Sequence, residues 1–484
     1  MDEGAVLLIV GAVLAASILV GLGASRAGVP ALVAFLVLGM LLGSDGPGGI
    51  EFDDAELARH VGIIGLAAIL YEGGLSTSWR RMRHVAVPAA LLGTIGVAIT
   101  AFLTGLAARL LFDLSWAESI LLGSVVASTD AAAVFATLRF SHVRRRLART
   151  LEGETGGNDP VAIALTIGLI EWIHDPTFRA DDLALLIVRQ LGLGLAVGVA
   201  LGFVATRVFS RLPTSVGSFA PVASVAAAAI AFGAADVIGG SGFLAVYLVG
   251  LAVGSTPSRY RGQLVAFHEG LAFLAQVTMF VVLGLLVFPS DLPPVILPGL
   301  ALAAILALFV RPVAVWASTS LTHLTGREQV FLGWAGLRGA VPIVLGTFVL
   351  SENVEHGKTI FNAVFFVVLV SALVQGTTLE AVANRLGLLD ARPPSVPRPI
   401  EVDAAGELDL VEFDVSADYA IAGAAVRELG LPRSALVAVI TRGTETIPPR
   451  GSTVIESGDR LYVLVPRPSR ADLEDVFLRW RRRI

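Results

Sequence analysis

Long apolar stretches, each near 20 residues and divided by short polar loops, fill the first 385 residues of the chain. A helix rises 1.5 Å per residue, so about 20 apolar residues cross the hydrocarbon core of a bilayer. The pattern predicts thirteen spans, at about 4–24, 28–43, 57–74, 84–111, 117–138, 150–174, 183–208, 217–235, 237–256, 267–288, 293–318, 327–350 and 358–381. The expected fold class is an all-α polytopic membrane protein with a small α+β domain appended. The first apolar stretch follows Met1-Asp2-Glu3, which lacks the basic leader of a signal peptide, and is expected to be retained as a span.

After Leu389 the pattern changes. Arg392 to Pro399 is proline-rich and reads as a stiff linker. Leu408 to Val415 alternates like a strand, Ile421 to Leu429 has helical spacing, and Ala435–Thr441 and Leu461–Val465 read as buried strands. Leu473 to Ile484 is an arginine-rich helix candidate. The division expected is a membrane domain over 1–385, a linker over 386–402, a small domain over 403–468 and a tail over 469–484.

Composition and charge orient this plan. The chain is 55% hydrophobic and only 15% charged, with a mean hydropathy of +0.78, against roughly 25% charged residues in soluble domains. The bilayer is therefore the principal partner, and no nucleic-acid polymer is indicated. With no cysteine, disulfides, thiol catalysis and cysteine-ligated metals are excluded. Arginines recur in alternate loops, among them Arg26, Arg80 to Arg83, Arg144 to Arg149, Arg207, Arg259, Arg327 and Arg385, while the intervening loops are acidic or neutral. By the positive-inside rule the N-terminus is outside and the C-terminus cytoplasmic.

Three spans carry residues that lipid penalises. The fifth is interrupted at Gly123 to Asp130, and the twelfth at Gly333 to Pro342 around Arg338. Broken helices free backbone groups that line ion sites near the midplane. Each is the middle helix of a triplet, spans four to six and eleven to thirteen, which predicts an inverted repeat with crossed breaks. The sixth span holds Glu154-Thr155-Gly156-Gly157-Asn158-Asp159-Pro160. An aspartate at mid-bilayer costs about 2.5–3.5 kcal/mol, so Asp159 is expected where charge is handled. Opposite charge predicts that Glu154 pairs with Arg338, leaving Asp159 to exchange a proton for a cation. Asp130 reads either as a site residue or as the cap of the helix half starting at Ala131. Glu72 reads as a cavity acid or an interfacial one, Arg311 as a snorkelling side chain, and His174, His268 and His323 as loop histidines.

Ser128-Thr129-Asp130, Glu154 to Pro160 and Gly336-Leu337-Arg338-Gly339-Ala340-Val341-Pro342 resemble the signatures of bacterial NhaP-type cation/proton antiporters, in the potassium/proton branch called cell volume regulation protein A. The resemblance covers nearly the whole chain. It implies a homodimer of NhaA-like fold in the inner membrane, exchanging K⁺ or Na⁺ for H⁺ by alternating access, with no enzymatic activity and no resident cofactor. It places cation and proton on Asp159, Asn158, Asp130, Thr129 and Thr155, a structural ion pair on Glu154 and Arg338, and a cavity acid on Glu72. Ala131 departs from the proline usual after Thr-Asp. The segment Leu408 to Val465 resembles the ligand-binding TrkA-C module of potassium-conductance regulators, which implies gating by a small nucleotide such as cyclic di-AMP. A cation channel gated by that module is the alternative, although no Thr-Val-Gly-Tyr-Gly filter is present.

Overall fold

The computed structural model describes residues 3–26, 30–138, 143–212, 219–256, 258, 260–389, 399–401, 408–443, 445–466, 473, 476–477 and 479–480. The proline-rich linker up to residue 398 lies outside them, as does most of the tail. The chain divides into two compact units, Met1–Asp390 and Ala391–Ile484.

Each of the thirteen apolar segments falls on helix in the first unit. In chain order these are α1 (Glu3–Arg26), α2 (Ala31–Leu42), α3 (Ala55–Ser76), α4 (Ala86–Leu111), α5a (Trp116–Val125), α5b (Ala131–Thr137), α6 (Arg145–His174), α7 (Ala180–Arg211), α8 (Ala220–Val237), α9 (Gly242–Ser255), α10 (Arg261–Leu285), α11 (Pro293–Thr319), α12a (Gly326–Trp334), α12b (Ala340–Ser351) and α13 (Gly357–Arg385). Seven stretches among the described residues are long and apolar enough to cross a membrane. The protein is a multi-pass membrane protein.

The two triplets correspond element by element. α5a starts on a capping box, in which Ser115 and Glu118 satisfy each other's backbone N–H groups, and α12a starts on the same device at Thr325 and Glu328. The helix before each is loosened by a π-turn, Leu92–Gly96 in α4 and Leu306–Val310 in α11. Each capped helix then runs for about three turns and unwinds, at residues 126–130 and 335–339. The backbone N–H of Asp130 donates to the carbonyl of Leu337 at 2.8 Å, so the two breaks touch.

Packing separates two layers. α1, α2, α10, α3, α9, α7 and α8 form one, and α4, α5, α6, α11, α12 and α13 the other; α3 against α12b and α6 against α7 join them. His268, expected in a loop, lies two turns inside α10 because that helix starts at Arg261. It is buried, and Ser224 Oγ lies 3.0 Å from its Nε2 and 2.8 Å from the Tyr71 hydroxyl.

The second unit is a five-stranded antiparallel sheet, β1 (Pro399–Glu401), β2 (Leu408–Asp414), β3 (Leu436–Arg442), β4 (Glu445–Ile447) and β5 (Asp459–Pro466), in the order β1-β2-β5-β3-β4. Phe413, Ile440, Leu461 and Val463 are fully buried at its centre, and from the tail Leu473, Phe477 and Trp480 join the same core. The end of the expected linker is thus strand β1. Ile421 to Leu429, expected as a helix, forms turns with one 3₁₀ turn at Val426–Glu428. Gly423 there has φ +93°, outside the helical region, and the segment spends its backbone bonds on Ile455 and Thr453 instead.

Candidate functional site

At the crossing, helix ends leave backbone groups without partners. Arg338 Nη1 donates to the carbonyls of Ala127 and Ser128, both at 2.7 Å, so a guanidinium terminates the first break. Its own break is braced from α13, at the π-turn Ser371–Gln375: Arg338 N–H donates to Ser371 Oγ at 3.2 Å, and Gln375 Nε2 to the carbonyl of Trp334 at 3.0 Å. Asp130 caps α5b, accepting from Ala132 and Ala133 N–H at 2.8 and 3.2 Å. Its other oxygen fills the space beside Gly339, where an added Cβ would sit 2.0 Å from it. Of the two readings of Asp130, the cap is thus realised, with the carboxylate also lining a cavity.

α6 supplies the second wall. Asn158 Nδ2 donates to the Thr129 carbonyl at 3.0 Å and to Thr129 Oγ1 at 2.7 Å, and Thr129 Oγ1 donates to Glu154 Oε1 at 3.1 Å. Thr155 Oγ1 accepts from Ala131 N–H at 3.0 Å and donates to the Thr129 carbonyl at 3.3 Å. One helix face therefore grips the break through three side chains, Thr155 and Asn158 on its backbone and Glu154 on the Thr129 hydroxyl. Asp159, 3% exposed, accepts from Ser128 Oγ at 2.5 Å.

The expected pairing of Glu154 with Arg338 is not formed. Glu154 makes its ion pair with Arg311 of α11, both side chains 1% exposed. Arg311 therefore does not snorkel: directly after the π-turn of α11 and just before Pro312, its side chain is buried inside the protein. Arg338 is occupied by carbonyls instead. The sequence signal that was overlooked is a buried-span arginine beside a proline in the helix before the second break. Ser128 was also absent from the expected site, although it stands in the first signature.

A cavity of about 220 Å³ adjoins the crossing. The layer that holds α5 and α6 contributes Ser128, Asp130, Thr155 and Asp159 to its wall, and the layer that holds α3 and α9 contributes Glu72, Ser76, Tyr247 and Gln276. Ser76 Oγ donates to Glu72 Oε1 at 2.6 Å. Glu72, Asp130, Thr155 and Asp159 thus line the cavity, while Asn158 and Thr129, bonded to each other, lie outside its lining.

Residues 12–385 match the family model for the transmembrane sodium/hydrogen exchanger. The chain belongs to the sodium/hydrogen exchanger family. Residues 410–478 of this exchanger match the TrkA-C domain. The K⁺/H⁺ antiporter NhaP2 of Shewanella sp. (strain MR-4) is 39% identical over 97% of the exchanger and 83% of its own length. The K⁺/H⁺ antiporter NhaP of Alkalimonas amylolytica is 37% identical over 97% of the exchanger and 82% of its own length. In structure the exchanger resembles the sodium proton antiporter MjNhaP1 of Methanocaldococcus jannaschii, with a TM-score of 0.71 at 23% identity, over 80% of the exchanger and 99% of that chain. The exchanger thus has the helical antiporter fold.

Proposed function

We propose that this protein is a secondary antiporter that exchanges a monovalent cation, K⁺ or Na⁺, for H⁺, with Asp159 as the residue both compete for. One observation carries the reading. At the crossing Glu154 is ion-paired with Arg311, Arg338 is held by carbonyls and Asp130 by backbone N–H groups, while the buried Asp159 has the Ser128 hydroxyl as its partner. A carboxylate removed from water without an ion-pair partner is affordable when it holds a proton or a monovalent cation. Alternating between the two exchanges one for one without moving net charge.

Access from one side supports the same reading. The cavity reaches Asp159 from the C-terminal end of α3, at Glu72, Ser76 and Thr77. That end leads into the loop of Arg80, Arg81 and Arg83, which the positive-inside rule makes cytoplasmic. About 20 Å away along α3, Arg59 pairs at 2.6 Å with Glu352, the C-cap of α12b, donates to Ser351 Oγ at 3.2 Å and lies 4.4 Å from the centre of the Phe348 ring. These contacts hold the two layers together on the opposite side. The reading includes an inner-membrane homodimer with its N-terminus outside and its C-terminus cytoplasmic, and a regulatory unit over 403–468 that responds to a small nucleotide such as cyclic di-AMP. The relatives' names favour exchange over a gated channel.

The test is reconstitution. Vesicles with a preset pH gradient should lose it on addition of K⁺, Na⁺ or Li⁺, with the cation ranking giving selectivity, and cyclic di-AMP should change the rate. Asp159→Asn should leave the gradient intact. Full exchange by that variant would overturn the assignment.

A further inference from the structure

Beyond Arg385, α13 closes in a Schellman turn. Gly387 has φ +67°, its N–H donates to the Asn384 carbonyl at 3.0 Å, and Leu388 N–H reaches back to the Ala383 carbonyl at 3.0 Å. The carbonyls of Gly387 and Leu388 then need donors, which water can supply at a surface. They are taken instead by a residue 243 positions earlier in the chain: Arg144 Nη2 donates to Gly387 and Arg144 N–H to Leu388, both at 3.1 Å. Val143 pairs with Leu389 in an antiparallel bridge. Beneath these bonds Leu379, Ala383 and Leu388 share one buried apolar cluster with Val134 and Leu138 at α5b and with Leu147 and Leu151 of α6. The end of α13 is strapped to the connection between α5b and α6.

Both helices so held carry cavity acids. Asp130 caps α5b, Arg144 is the N-cap of α6, and Asp159 lies about 20 Å along α6 from it. On the other side, only residues 390–398 separate Leu389 from β1 of the C-terminal unit. We propose that this strap carries regulation: a change in the C-terminal unit acts on the end of α13, and the strap passes it to α5b and α6 and so to the exchange site. The proposal rests on Asp159 being that site and on the C-terminal unit being regulatory. Coupling over such distances is carried by hydrogen bonds, packed side chains and rigid helices, and the strap joins all three. α6 is one helix from Arg145 to His174, so a shift of its first turn also shifts Asp159. Arg144 is exposed, and its bonds exchange with water at small net cost, which lets the strap part and re-form.

The experiment is a cycle of variants in the full chain, read as initial K⁺/H⁺ exchange rates in vesicles. Asp459→Asn perturbs the C-terminal unit by weakening its bonds to Arg442. Arg144→Ala with Gly387→Ala cuts the strap, removing one bond and straining the positive φ of the turn. With the strap whole, Asp459→Asn should change the rate about fivefold or more, and with the strap cut by less than about twofold. A flexible Gly-Ser insert of about a dozen residues after Asp390 should also remove the response. The chain has no native cysteine, and residues facing each other in an antiparallel pair lie within disulfide reach. Adding Val143→Cys and Leu389→Cys to the cut strap and oxidising them should restore the response, and reduction should abolish it again. If Asp459→Asn leaves the unit unfolded, Arg442→Lys, which keeps the charge and loses the two-pronged contact, takes its place. An equal response with the strap whole and cut, even where the cut lowers the unfolding temperature, would overturn the strap as the route. No response with the strap whole would overturn the proposal together with the regulatory reading, and exchange persisting in Asp159→Asn would overturn the site reading beneath both.

Discussion

Glu154 on α6 is ion-paired with Arg311 on α11, and Arg338 on the broken helix holds carbonyl oxygens instead. The two buried arginines thus do separate work: one neutralises a carboxylate, the other replaces the partners that two unwound carbonyls lack. Breaking a buried pair by removing one member costs about 3–5 kcal/mol. Arg311→Gln and Glu154→Gln should each lower the unfolding temperature strongly, and the double variant should recover part of the loss. A Glu154→Gln, Arg338→Gln cycle should show much weaker coupling, measured by thermal unfolding in detergent.

Asp159→Asn should abolish exchange while raising stability. Among the described residues the buried carboxylate has no ion-pair partner, and its replacement by a neutral amide removes the charge from a dry site. A gain of about 1 kcal/mol or more is expected, read as a higher unfolding midpoint in the same preparation that fails the vesicle assay.

Arg59 and Glu352 join the two layers at the end of α3 remote from the cavity, with side chains 29% and 43% exposed. A partly exposed pair contributes only about 0–1 kcal/mol, a strength suited to a contact that opens in every cycle. Arg59→Ala should therefore change turnover by no more than about fivefold. Tethering should be decisive: the chain has no native cysteine, and Arg59→Cys with Glu352→Cys, joined by a bifunctional thiol reagent, should stop exchange until a reductant is added. Full exchange by the tethered protein would show that this end does not open.

Gly339→Ala places a methyl 2.0 Å from Asp130 Oδ2. The carboxylate cannot move away without surrendering the cap of α5b, where such a cap contributes about 1 kcal/mol. Loss of exchange with a moderate loss of stability is expected, and Gly339→Ser should behave no better.

In the C-terminal unit, Arg442 binds Asp459 through two bonds of 2.7 and 2.9 Å. Burial acts to raise the Asp459 carboxyl, but the Arg442 bonds, the Glu456 N–H and the Arg442 charge together hold it below its ordinary value. Its stabilising effect is therefore complete above the ordinary aspartate range and is lost as pH falls through the lowered value. Amide exchange of β3 and β5 in the full chain should remain slow near neutrality and accelerate on acidification, and Asp459→Asn should exchange fast at neutral pH.

Much of this architecture was legible because lipid makes sequence explicit. A bilayer penalises every charge and every unpaired backbone group, so apolar length marks helix, loop arginines predict orientation, and Gly-x-Arg-Gly or Asn-Asp-Pro inside a span marks a break or a site. Asn158-Asp159 and the break that ends at Asp130 stood out for that reason, whereas the roles expected of Thr129, Asn158 and Thr155 came from the resemblance. In the C-terminal unit β2 was legible by alternation and β3 and β5 as short buried apolar runs, whereas β1 and β4, three residues each, carry too few positions for a period.

By itself, then, the sequence determined the helical segments, the two interruptions, the appended sheet's main strands and the unaffordable aspartate, since each follows from local composition and spacing. Tertiary structure decided which arginine neutralises Glu154, which hydroxyl faces Asp159 and which layer completes the cavity. Those outcomes depend on distances between helices far apart in the chain. Charge sign predicts that a buried glutamate takes a cation; only the π-turn of α11 and the crossing of the two breaks decide that the cation is Arg311.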